Sequence, residues 1–237
     1  MTAGTEALKR RAAEKALEQV RSGMVLGLGT GSTVAHLLAS LGAALRDGSL
    51  SDIVGVPTSV QTERHATSLG IPLIELGARE RIDLTIDGAD EISPELDLIK
   101  GGGGALLREK MVAQASARVV IIADESKRVA RLGASFPLPV ETVSWGWESH
   151  VRFLRSLGAD VALRTGPDGK PAASDNGHVL LDCRFPGGIE DPHALDEALV
   201  HRAGIVETGL FLGLASEALV ASPHGVESVR REGAPVR

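Results

Sequence analysis

Tyrosine is absent from this chain of 237 residues, and 4 Phe with 2 Trp are all its aromatics. So sparse a set excludes the aromatic platform on which single-stranded nucleic acid stacks, and any mechanism that needs a tyrosine hydroxyl. Cysteine occurs once, as Cys183. That excludes an intrachain disulfide and a multi-cysteine zinc or iron–sulfur centre, and it fits a reducing, cytoplasmic setting. A basic block is also missing: 25 Lys+Arg stand against 31 Asp+Glu, a net charge of −6. This balance argues against nucleic acid or an anionic membrane as the main partner. The stretch from Met1 to Val20 is charged throughout and lacks the apolar centre of a secretory signal. Ser22 to Leu45 is uncharged and long enough to span a bilayer. Gly23, Gly27, Gly29, Gly31, Ser32, Thr33 and His36 interrupt it, so a strand, a polar loop and a helix are expected instead.

Glycine, by contrast, is abundant. The 28 glycines make about 12% of the chain, against ~7% in an average protein. With 11 Pro and 43% hydrophobic residues, the composition is that of a folded chain, one large domain or two small ones. Leu8, Ala12, Ala16, Leu17 and Val20 share one face of an opening helix. Strands are expected at Met24–Leu28, Ile53–Val56, Ile71–Glu75, Leu84–Ile86 and Val119–Ala123. Helices are expected at Val34–Leu45 and Gln61–Leu69, and from Gly104 to about Ala117. Such alternation predicts an α/β fold, a parallel sheet covered on both faces. Beyond Gly133 the texture changes. Strands at Leu138–Val143, Val161–Arg164 and His178–Cys183, with helices at Glu148–Leu157 and Pro192–Val200, suggest a small α+β inset of split βαβ type. Trp145 and Trp147, alternating about Gly146, are expected to pack this inset or an interface. Short strands at Leu210–Leu214 and Glu217–Val220 then return to the main domain. The expected boundaries are 1–131 with 207–237 for the main domain, and 132–206 for the inset.

Several segments could carry chemistry. Gly27-Leu28-Gly29-Thr30-Gly31-Ser32-Thr33 follows a strand and opens a helix. Glycines admit an anion close to the backbone, and hydroxyls add donors at a helix N-terminus; the plainer reading is a capped tight turn. Asp87-Gly88-Ala89-Asp90-Glu91 follows an apolar strand, where ligands of open α/β sheets bind. Paired carboxylates hold sugar hydroxyls, bind a hard cation or move protons, though Asp and Gly also form solvated turns. Lys100-Gly101-Gly102-Gly103-Gly104 precedes a helix carrying Glu109. Four glycines in a row often make a linker, but between apolar, periodic flanks a ligand-meeting loop is the better reading. Lys127 follows another apolar strand, where it is either a surface lysine or an anion contact. The seven histidines show no zinc spacing.

In their order, GLGTGSTVAHLL (27–38), PTSVQT (57–62), DLTIDGADEI (83–92), KGGGGALLREKMV (100–112), IIADESK (121–127), FPLPVE (136–141) and GIVETGLF (204–211) resemble the type A ribose-5-phosphate isomerases, over nearly the whole chain. The resemblance implies a Rossmann-like main domain with an inserted ferredoxin-like α+β domain, a homodimer or homotetramer, and no metal or organic cofactor. It implies an aldose–ketose isomerase interconverting D-ribose 5-phosphate and D-ribulose 5-phosphate in the pentose phosphate pathway. Carried over by motif, substrate is bound by Thr30, Gly31, Ser32, Thr33, Asp87, Gly88, Ala89, Asp90, Lys100, Gly101, Gly102, Gly103 and Lys127. Glu109 matches the proton acceptor, and Lys9 is compared with a phosphate-side lysine.

The chemistry is coherent with that set. One carboxylate can carry a proton between C2 and C1, a cation and backbone N–H groups can hold the enediolate, and Asp87 or Asp90 can assist ring opening. The competing reading is a non-catalytic sugar-phosphate sensor. Such regulators join a related fold to a helix-turn-helix, whereas a single helix is read here before the first strand. Amino-sugar-phosphate deaminases and coenzyme A transferases are more distant alternatives.

Overall fold

Runs of four to six apolar residues alternate with helices that bury one face, and the chain sorts them into two compact units. The computed structural model describes residues 3–231. The first unit comprises the described residues of Met1–Ala89, Arg108–Lys127 and Gly213–Arg237; the second comprises Asp90–Leu107 and Arg128–Leu212.

In chain order the elements are α1 (Ala3–Leu17), β1 (Val25–Leu28), α2 (Ser32–Asp47), β2 (Val54–Pro57), α3 (Val60–Ser68) and β3 (Leu84–Asp87). Next come β4 (Glu91–Ile92), β5 (Leu98–Ile99), α4 (Leu106–Gln114), β6 (Val119–Asp124) and a 3-10 turn at Glu125–Lys127. Then follow β7 (Leu138–Thr142), α5 (Glu148–Ser156), β8 (Asp160–Leu163), β9 (Val179–Arg184), α6 (Pro192–Val200), β10 (Ile205–Thr208), β11 (Leu210–Phe211), β12 (Glu217–Ser222) and β13 (Gly225–Arg230).

The first unit is built on a six-stranded sheet of order β13-β12-β6-β3-β1-β2. Its strands are parallel except β13, which pairs antiparallel with β12 at the edge. All six residues of β6 are buried, as a parallel strand covered on both faces requires. Ala12, Ala13 and Ala16 of α1 and Leu37, Leu38 and Leu41 of α2 pack with Leu26, Leu28, Ile86, Val120 and Ile122 of the strands. Local signals set the helix ends: Ser59 caps α3 by accepting from Thr62 N–H, and Gly48 ends α2 in the left-handed conformation. From β1 the chain steps outward to β2 on one side and, through β3, to β6 and β12 on the other. The reversal puts the crevice of an open α/β sheet beyond the carboxyl ends of β1 and β3.

The second unit holds a four-stranded antiparallel sheet of order β10-β7-β9-β8. With α5 and α6 in the connections, its β7-α5-β8-β9-α6-β10 path is the ferredoxin-like one. Leu138, Val140, Leu154, Leu181, Cys183 and Leu199 form its core. A separate three-stranded sheet, β11-β5-β4, lies in the same unit.

The structure differs from the sequence expectation at several points. The stretch Ile71–Glu75 makes only a bridge from Leu73 to Gly55, because Pro72 offers no N–H and the ladder cannot extend. The fourth helix begins at Leu106, since Gly104 turns back to donate to the Gly101 carbonyl. The first helix stops at Leu17, so Val20 is buried from the turn that follows it. Residues 90–107 group with the second unit because β4 and β5 pair there with β11; the two units are therefore interleaved, not divided at 132 and 206. The expected main domain also contains residues 1–2 and 232–237, which lie outside the described residues. Trp147 packs on the second core, but Trp145 is 90% exposed. No helix among the described residues is long and apolar enough to cross a membrane.

Glu217 anchors the amino edge of the first sheet. Its buried carboxylate accepts from Ser228 Oγ at 2.6 Å and Gln19 Nε2 at 3.1 Å, and meets Arg118 at 3.4 Å and Arg230 at 3.5 Å. Burial would raise its pKa, but the Ser228 and Gln19 hydrogen bonds and the charge of Arg230 hold it below its ordinary 4.5. A depressed carboxylate contributes stability above its unfolded pKa and loses it as the pH falls through the folded value. Glu217→Gln is therefore expected to cost about 1–3 kcal/mol near neutrality. In urea melts the gap from the parent should close on acidification below 4.5; a gap constant with pH would contradict this account.

Candidate functional site

Asp87 ends β3 and is 2% exposed. Its Oδ1 accepts from the N–H of Thr30 at 3.0 Å and of Gly88 at 2.7 Å. One carboxylate thus joins the loop after β1 to the loop after β3 at the point where the strand order reverses. The approach is close enough that a Cβ on Gly29 would land on the Asp87 carboxylate and 2.6 Å from its Cα. Thr30 is held as firmly on its other side. Its hydroxyl lies 2.8 Å from those of Thr58 and Ser59 and 3.1 Å from that of Thr62. Thr58 and Thr62 donate in turn to the carbonyls of Leu28 and Gly29.

Gly31 precedes the sixteen-residue helix α2 with φ 113° and gives it no side-chain cap. Ser32 opens the helix, Thr33 follows partly exposed, and the ammonium of Lys9 reaches Ser32 Oγ at 2.9 Å. Lys9 is itself buried and bonds Glu6 at 2.9 Å. Hydrogen bonds from Lys9 and then His36 hold the Glu6 carboxyl below its ordinary range. Hydroxyls, the N–H groups of the first helical turn and a lysine make this end of the sheet an anion-binding arrangement. Gly88 and Ala89, half-buried, continue the loop after β3. Glu109 lies in the first turn of α4 and is 4% exposed. Lys127 closes the 3-10 turn after β6, two strands from β1. Asp124 shapes that turn by accepting from both the N–H and the hydroxyl of Ser126.

The remaining expected residues belong to the second unit. Asp90 Oδ2 accepts from Gly102 N–H at 2.7 Å, and Asp90 N–H donates to the Ile99 carbonyl. Lys100 is 3% exposed; its N–H donates to the Gly209 carbonyl and its ammonium lies 5.4 Å from the centre of the Phe211 ring. Gly101 is buried, Gly102 intermediate and Gly103 exposed. Gly101 and Gly104 take φ of 97° and 82°, which only glycine adopts without strain.

The comparisons with known proteins bear on this arrangement. The family model for ribose 5-phosphate isomerase A (phosphoriboisomerase A) matches residues 54–225. The chain belongs to the ribose 5-phosphate isomerase A family. It is 52% identical over 228 residues to ribose-5-phosphate isomerase A of Chloroflexus aurantiacus, covering 96% of this chain and 95% of that one. A D-ribose-5-phosphate isomerase solved in complex with phospho-erythronic acid superposes with a TM-score of 0.94 at 38% identity, covering 98% of this chain and all of that one. The Plasmodium falciparum ribose 5-phosphate isomerase gives 0.93 at 38% identity, covering 96% and 99%.

Within this isomerase fold the structure adds residues that the sequence did not single out. Thr58, Ser59 and Thr62 lie inside a motif used for the resemblance, yet hydroxyls carry no pattern that assigns them a task. Glu91, 1% exposed, accepts from the N–H groups of Gly133, Ser135 and Phe136 at 2.5, 2.6 and 2.7 Å. Its place in the acidic cluster was visible, whereas its partners more than forty positions away were not.

Gly29→Ala is expected to push Asp87 off Thr30. Overpacking against backbone costs about 1–3 kcal/mol, so a thermal melt should fall by roughly 2–10 °C, with loss of isomerase activity. An unchanged melt with full activity would show that the approach has slack.

Proposed function

We propose that the chain interconverts D-ribose 5-phosphate and D-ribulose 5-phosphate, the aldose–ketose step of the pentose phosphate pathway, with the residues named by its motifs. The observation that carries this reading is the Asp87–Thr30 bond at the strand reversal, which sets a buried carboxylate beside a hydroxyl-rich helix start. Thr30, Gly31, Ser32, Thr33 and Lys127, with Lys9 behind Ser32, bind the phosphorylated substrate by charge and hydrogen bonds. Asp87, Gly88, Ala89 and Asp90 face the sugar, and the carboxylates assist ring opening by moving a proton between the ring oxygen and the anomeric hydroxyl.

Glu109 takes the proton from C2 of the open aldose. As it leaves, C2 and C1 become doubly bonded and negative charge develops on oxygen. Lys100 and the backbone of Gly101, Gly102 and Gly103 stabilise that charge. Return of the proton to C1, with the proton of the C2 hydroxyl passing to O1, gives the ketose, so atoms balance with no second substrate. The N–H of Gly102 is already engaged by Asp90, so Gly103 N–H is the donor this reading assigns to that loop. No metal or organic cofactor enters this scheme. A homodimer or homotetramer in the cytoplasm is the proposed working form. The sensor reading is not favoured: it gives a proton-accepting carboxylate at Glu109 no task.

Glu109→Gln should lower kcat by about 10²–10⁴-fold while the protein still binds a five-carbon sugar phosphate. Turnover near the parent's would overturn the assignment. Lys127→Ala should act mainly on KM, since it removes binding shared by ground and transition states; an effect confined to kcat would argue against a phosphate contact. Activity assayed with a chelator present should be unchanged.

A further inference from the structure

Four successive glycines are the costliest backbone to hold in one conformation, so a loop that must present a fixed N–H needs an external brace. The second unit supplies one. Arg164, directly after β8, donates from Nη1 to the carbonyls of Gly101 at 2.9 Å and Gly102 at 3.1 Å. Its Nε and Nη2 form a two-pronged ion pair with Asp182 of β9, the Nε contact at 3.0 Å. The side chains are only 16% and 23% exposed. Backbone bonds hold Arg164 itself, its N–H to Leu180 and its carbonyl from Ala172.

Peptide planarity turns these bonds into orientation. In a trans peptide the C=O of one residue and the N–H of the next point in opposite directions. The Gly101–Gly102 unit is therefore pinned at both ends, its carbonyl on Arg164 and its N–H on Asp90. The Gly102–Gly103 unit is pinned by its carbonyl, which aims the Gly103 N–H away from Arg164. We infer that Arg164, braced by Asp182, is a positioning residue that orients the Gly103 N–H toward the enediolate oxygen. This rests on the reading that the glycine loop meets the substrate. Arg164 touches neither substrate nor reacting atoms; it acts through the loop. Lysine cannot replace it, because one ammonium cannot grip two carbonyls while forking onto a carboxylate.

The test uses full-length protein with ribose 5-phosphate as substrate and phospho-erythronic acid as a competitive probe. Arg164→Ala should lower kcat by about 10–100-fold, change KM by less than about threefold, and weaken the probe in step with kcat, because positioning is felt where charge develops. Millimolar guanidinium should restore part of kcat in Arg164→Ala and none in Glu109→Gln. Arg164→Lys should stay closer to Ala than to the parent. If Arg164→Ala does not fold, Asp182→Asn carries the test: the cation stays, the brace is lost, and kcat should fall at constant KM.

A parent-like kcat in Arg164→Ala or Asp182→Asn, or a loss confined to KM, would overturn the inference. Glu109→Gln is assayed alongside. If it is inactive while the Arg164 and Asp182 variants are parent-like, the brace alone is wrong; if Glu109→Gln is fully active, the functional reading itself fails.

Discussion

A single buried carboxylate, Asp87, sets the geometry of the first unit's candidate site. At 2% exposure it must be satisfied by hydrogen bonds, and the N–H groups of Thr30 and Gly88 satisfy it. The demand works in both directions. Asp87 cannot be buried without the loop after β1 closing on it, and that loop cannot close unless residue 29 lacks a Cβ. Thr30, fixed at its N–H, then offers its hydroxyl to Thr58, Ser59 and Thr62, so the loops after three strands share one hydrogen-bonded system. The hydroxyls proposed to meet the phosphate inherit their positions from this system.

The two edges of the same sheet are specialised differently. At the amino edge, Glu217 gathers Gln19, Arg118, Ser228 and Arg230 into a network whose bonds join β12 to β13, to the residue before β6 and to the turn after α1. That network holds the sheet together. At the carboxyl edge the Asp87 carboxylate is held by backbone N–H groups, and the hydroxyls are held by one another and by backbone carbonyls. Backbone N–H partners bring no full positive charge to Asp87, whereas a ring of arginines would offset the charge of a carboxylate proposed to move protons.

Much of this was legible in the sequence because it is local. A strand ending in Gly-x-Gly before a helix, and Asp-Gly-Ala-Asp after an apolar strand, declare their loops from a few adjacent residues. The ferredoxin-like order also follows from strand and helix signals that lie close in sequence. What escaped is non-local or too short to have a period. β4 and β5, of two residues each, cannot alternate, and without them residues 90–107 read as part of the first domain. The chain crosses between units at 89/90, 107/108, 127/128 and 212/213. Two of these crossings fall inside motifs that look continuous, the Asp-Gly-Ala-Asp run and the Leu-Arg-Glu helix start. Motif continuity thus hid the interleaving.

Arg164 shows the same limit most sharply. Its stretch, Val161 to Arg164, reads as a plain strand end in the least distinctive part of the chain. Its partners are two carbonyls, atoms that every residue owns and no pattern advertises. Yet the loop it grips contains the most conspicuous run in the sequence, and that run states the need without naming the supplier. Consecutive glycines give up every side-chain contact that normally fixes a backbone. Order in such a loop must come from groups acting on its carbonyls and N–H groups, as Arg164 and Asp90 do. The ferredoxin-like unit thereby acquires a task in the proposed reaction. It carries the strand pair β8–β9, from which one guanidinium grips the carbonyls of Gly101 and Gly102.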